Sequence, residues 1–110
     1  FYVNWFRKTS EGKWLWPGFG DNARVLKWMC ERVEGKVGAE ETPIGYLPKK
    51  SDLDIAGLKV GDAELTELLR VDLDAWRQEI PDVEGFLAKF GDRLPARMNQ
   101  QLAGLRERLG

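Results

Sequence analysis

Four of the chain's five tryptophans, Trp5, Trp14, Trp16 and Trp28, fall in the first 28 residues, with Phe1, Phe6 and Phe19 among them. That much ring surface has to be covered by something. A hairpin and one helix need fewer large rings than this for a core. Two readings therefore compete. In one, the cluster is a local core, or the seam where this piece meets a larger body. In the other, some rings are kept to stack on a flat ligand such as a nucleobase. Composition alone favours the first, because most large aromatics are simply buried.

The local patterns divide the chain into an aromatic β segment and a helical remainder, an α+β class. Phe1–Phe6 is rich in aromatic and β-branched residues and reads as a strand. Ser10-Glu11-Gly12 is a turn, and Trp14–Trp16 returns as a second strand, giving an N-terminal β-hairpin that Pro17-Gly18 ends. A strand that opens a chain needs neighbours, so the segment reads as a cut through a larger α/β fold. Helical spacing predicts a helix from about Asp21 to Glu34, with Val25, Leu26, Met29 and Val33 on one face. Cys30, at the edge of that stripe, reads as a small packing residue. Thr42–Pro48 is extended. Further helices are expected from Asp62 to Arg70, from an Asp72 cap through a Pro81 kink to Phe90, and from Pro95 onward. The working division is residues 1–48, hairpin, Gly-rich turn and helix, and residues 49–110, a helical segment of the same domain.

The totals narrow the chemistry. Within 110 residues there are 17 Lys and Arg, 18 Asp and Glu, one Cys and no His. A net charge of −1 lacks the basic excess with which duplex-binding proteins displace counterions, so no nucleic-acid partner is expected. No apolar run is long enough for a membrane span, and none reads as a signal peptide. A lone cysteine allows no internal disulfide and fits a reducing compartment. Without histidine there is no imidazole base for a hydroxyl nucleophile, and a tight transition-metal site within these residues is not expected. No catalytic residue and no metal ligand is assigned.

Two features favour a ligand for the rings. Gly18-Phe19-Gly20 places one ring between two residues that tolerate unusual backbone angles. Asn22, in the middle of an otherwise apolar helix stripe, carries both donors and an acceptor, which suits a purine edge with a carbonyl beside N–H groups. Its alternative, the commoner one for an amide there, is a helix cap or a first-turn side chain. No Gly-x4-Gly-Lys-Ser/Thr occurs, so a triphosphate would be held elsewhere.

Asn4-Trp5-Phe6-Arg7-Lys8, Leu15-Trp16-Pro17-Gly18-Phe19-Gly20-Asp21-Asn22, Arg24-Val25-Leu26 and Thr42-Pro43-Ile44-Gly45-Tyr46 together resemble the carboxy-terminal signature of GTP-dependent phosphoenolpyruvate carboxykinases. The resemblance is close over residues 1–48 and looser beyond, where Trp76 is its main support. It implies conversion of oxaloacetate and GTP to phosphoenolpyruvate, GDP and carbon dioxide, a cytoplasmic reaction of gluconeogenesis. GTP and GDP are then substrates, and manganese and magnesium serve the full-length enzyme. It implies that Phe6, Trp14 and Phe19 wedge the guanine, with Asn22 bonding its edge. Trp14 departs from the usual Phe, Asp21 from a common Glu and Ala23 from a common Ser. The metal ligands, phosphate loop, substrate arginines and lid would lie upstream. The implied partners are the guanine nucleotide and the remainder of a monomeric parent enzyme, and these residues alone would be inactive. The alternative is an aromatic-rich, non-catalytic binding or bracing module.

Overall fold

Apolar residues at helical spacing, punctuated by caps and prolines, give the order of elements in a computed structural model that describes residues 1–110. Four α-helices, α1 (Asn22–Val33), α2 (Asp62–Leu69), α3 (Leu73–Ala88) and α4 (Ala96–Leu109), accompany two short strands, β1 (Glu40–Thr42) and β2 (Gly45–Leu47), which pair as one hairpin. The α+β class therefore holds. The chain divides into two units, Phe1–Glu41 with Tyr46–Arg70, and Thr42–Gly45 with Val71–Gly110.

The aromatic segment makes its turn but not its ladder. Lys8 and Trp14 form a single antiparallel bridge, closed by Thr9 N donating to Lys13 O at 2.8 Å and Leu15 N to Arg7 O at 3.0 Å. Gly12 takes φ +81°, which a side chain would resist. Phe1–Phe6 has no strand partner and stays irregular, so β propensity alone could not make it a strand. The real strands lie further on. β1 is Glu-Glu-Thr, whose composition carries little strand signal, and the Thr42 hydroxyl closes its turn by donating to Gly45 O at 2.6 Å.

The core of the first unit is Trp28, Leu53, Val60 and Leu65, with Met29, Ile55 and Leu68 against it. α1 thus turns inward a face that shares Met29 with the predicted aliphatic stripe but centres on Trp28. Trp28 is 4% exposed, whereas Leu26 (51%) and Val33 face outward, and Cys30 is exposed, not packed. The indole carries more apolar area than any aliphatic residue on the helix, so it sets the buried side. Two arginines fasten loops to this core. Arg7 Nη1 donates to Leu68 O at 2.8 Å and Arg70 O at 3.3 Å, at the end of α2. Arg24 joins Asp21 (3.1 Å) to the Asp54 carbonyl (2.9 Å).

In the second unit, Asp72 caps α3 as expected, its carboxylate accepting from Ala75 N at 3.0 Å. Pro81 lies inside α3, and Pro95 precedes α4. The two helices pack through Ile80 and Leu109, and Arg77 clamps the Leu109 carbonyl with two donors at 3.0 and 2.6 Å. Expected apolar positions at the helix ends, Leu73, Phe90 and Met98, are exposed.

The face that α1 buries can be tested by truncation. Trp28→Ala is expected to destabilise the chain by about 3–5 kcal/mol, because it empties a closed core. Leu26→Ala is expected to cost under about 1 kcal/mol, since most of that side chain is already in water. Urea unfolding of both variants measures the contrast.

Candidate functional site

The four candidate residues all belong to the first unit, on the bridge, the Gly-rich turn and the first turn of α1. Phe6 and Trp14 are brought together across the bridge, with ring centroids 6.0 Å apart and planes at 62°. Lys8 reaches over the Trp14 ring, its Nζ 4.1 Å from the centroid. Both rings remain largely in water, Phe6 at 72% and Trp14 at 58% exposure. They are therefore not part of this chain's core, while Leu15 and Trp16, next in sequence, are buried.

Phe19 is the most exposed large hydrophobic side chain, at 97%. Its backbone has φ +48°, the only non-glycine residue in the left-handed region, and Gly18 before it has φ +82°. A non-glycine residue held there costs about 1–2 kcal/mol. An exposed ring on a strained backbone is the reverse of what core packing produces. The turn closes through Asp21 N donating to Gly18 O at 3.1 Å and leads directly into α1.

Asn22 is the first residue of α1, not its cap. The cap position is Asp21, whose side chain makes no capping hydrogen bond and pairs with Arg24 instead. The Asn22 carboxamide is half-buried, and its Oδ1 accepts from Trp16 Nε1 at 3.0 Å. This contact is absent from the periodicity of the sequence, because it joins residues six apart across an irregular turn. The structure thus pairs Phe6 with Trp14 and Asn22 with Trp16, and leaves the Phe19 ring in solvent without a ring partner.

No three or more His, Cys, Asp or Glu side chains gather where they could hold a metal ion. No helix is long and apolar enough to cross a membrane.

Residues 1–108 match the family described as the phosphoenolpyruvate carboxykinase C-terminal P-loop domain. The chain belongs to this family. It is 52% identical over 110 residues to the GTP phosphoenolpyruvate carboxykinase of Paenarthrobacter aurescens, and 50% over 109 residues to that of Arthrobacter sp. strain FB24. The carboxykinase of Neocallimastix frontalis is 51% identical over 110 residues. Nearly the whole chain is covered in each comparison, yet it spans only 18% of each relative. The likeness thus runs well past the signature of residues 1–48 into the helical half. In terms of this domain, the chain is a small part of a larger carboxykinase.

The strain at Phe19 has a measurable consequence. Phe19→Ala and Phe19→Gly remove the same ring but differ in backbone freedom. The glycine variant is expected to be about 1 kcal/mol more stable than the alanine variant. Their melting temperatures, compared side by side, decide it.

Proposed function

We propose that residues 1–48 form the guanine-base pocket of a GTP-dependent phosphoenolpyruvate carboxykinase, with residues 49–110 as helical support in the same domain. The reaction is conversion of oxaloacetate and GTP to phosphoenolpyruvate, GDP and carbon dioxide. The observation that carries this reading is Phe19, a ring almost wholly in solvent on a strained left-handed backbone. Phe6 and Trp14 supply further flat surface, and Asn22 supplies the polar edge.

In this division of labour, the chain binds and orients the base but moves no proton and breaks no bond. Stacking on sequence-tolerant ring faces holds any purine, so discrimination falls to the amide. The chain's own donor set does not fit a divalent transition metal, since it has no histidine and no gathered carboxylates. Manganese and magnesium, which stabilise charge on the phosphoryl group and the enolate in such chemistry, therefore rely on residues outside these 110. A cytoplasmic setting and a role in gluconeogenesis follow from the same assignment, as does a monomeric parent.

The fragment itself is expected to have no carboxykinase activity and to bind GTP no more tightly than about millimolar. Stacking provides about 1–3 kcal/mol and a hydrogen bond about 1, against the roughly 4 that millimolar binding requires. Calorimetric titration with GTP checks this, and a micromolar Kd would reveal an unassigned phosphate site. In the full-length enzyme, Phe19→Ala is expected to raise KM for GTP about 5- to 100-fold. KM for oxaloacetate should stay nearly unchanged. Steady-state kinetics with each substrate varied in turn separates the two, and equal damage to both would return Phe19 to a structural role.

A further inference from the structure

Trp16 has no place in the pocket just described, yet it is the one side chain that touches Asn22 through a polar atom. Its indole is 7% exposed and its Nε1 lies 3.0 Å from Asn22 Oδ1. An indole N–H can only donate, so it must face the carbonyl end of the carboxamide. The usual ambiguity of an amide flip is thereby removed. The oxygen is held by the indole, and the NH2 end keeps its donors for another partner.

We infer that Trp16 is a positioning residue for purine selectivity, holding the Asn22 amide so that its NH2 end meets a 6-oxo purine and is mismatched with a 6-amino purine. This rests on the proposed base pocket. Guanine and hypoxanthine place a carbonyl acceptor at position 6, which an amide N–H can satisfy. Adenine places an amino donor there, and two donors facing each other leave both unpaired. A freely rotating amide would turn its oxygen to adenine and lose the distinction. Trp16 is well suited to prevent this. It is buried beside Leu15, and it lies on the stretch that leads into Pro17 and the Gly18–Gly20 turn. The indole is therefore fixed by packing and not by the ligand. Trp16 does not need to touch the nucleotide; it acts through Asn22.

The test uses the full-length enzyme and calorimetric Kd values for GDP, IDP and ADP. Trp16→Phe is expected to lower the GDP-over-ADP preference about five- to tenfold. Kinetics with oxaloacetate varied should show its KM unmoved. IDP, which keeps the 6-oxo group and lacks the 2-amino group, is expected to follow GDP in both proteins. In an Asn22→Ala background, Trp16→Phe should cause no further loss of preference. Because a buried ring is being shrunk, a second variant carries 3-benzothienylalanine at position 16, which keeps the shape and replaces the N–H by sulfur. It should reproduce the loss of preference at near-native melting temperature. An unchanged preference in the isosteric variant, with Asn22→Ala still abolishing it, overturns the role of Trp16 and leaves the pocket standing. Additive losses in the double variant, or IDP behaving like ADP, overturn it equally. If Asn22→Ala itself leaves the preference intact, the base-pocket reading fails, and this inference with it.

Discussion

Burial of the Trp28 indole against Leu53, Val60 and Leu65 fixes where α1 lies in the first unit, and the candidate site hangs from the first turn of that helix. The burial carries a cost, because Trp28 Nε1 is enclosed without a hydrogen-bond partner. An unpaired buried donor costs about 1–3 kcal/mol. Covering an aromatic side chain removes about 150–250 Å² from water, and at ~25 cal/mol per Å² that amounts to about 4–6 kcal/mol. Packing outweighs the orphaned donor. The ring of Phe1 adds an edge contact at 6.1 Å and 82°, so the start of the chain also leans on this indole.

Packing places α1, but ionic hydrogen bonds aim what precedes it. Arg7 stands directly after Phe6, and its guanidinium holds carbonyls at the end of α2. Arg24 ties Asp21, immediately before Asn22, to the Asp54 loop. Each arginine thus anchors the residue next to a candidate contact, and each is partly shielded from solvent. Their use of backbone carbonyls gives a direction that a flexible surface ion pair would not. The rings can therefore stay in water without the backbone beneath them becoming slack.

The sequence is most legible where a local signal suffices. Asp72 as a cap, Pro95 before α4 and the Asp62 start of α2 depend on neighbouring residues only, and all three are found. Legibility fails where partners are distant. Phe1–Phe6 has strand composition but nothing to pair with, while Glu-Glu-Thr of β1 pairs despite poor propensity. The buried face of α1 follows its aliphatic stripe only at Met29, while Leu26 and Val33 face outward, because the larger area of Trp28 decides the matter. For the site, residue types pointed to Phe19 and Asn22, and the family resemblance added Phe6 and Trp14. The part played by Trp16 was invisible, since a hydrogen bond across six residues of irregular chain has no period.

These failures share a cause that bears on how such a site can work. Regular elements satisfy their own backbone groups and leave side chains at fixed intervals, which suits a core. A base-sized slot with a selective edge needs rings and an amide at intervals that neither 3.6 nor 2 residues supplies. In the proposed pocket that need falls to an irregular stretch from Arg7 to Asp21, which contains one bridge, one left-handed Phe19 and one indole-to-amide hydrogen bond. Strain at Phe19 is tolerable because the stretch is pinned at both ends, by Arg7 and by Arg24. On this view the stability of the unit and the shape of the candidate pocket are not separate properties, since the same two arginines maintain both.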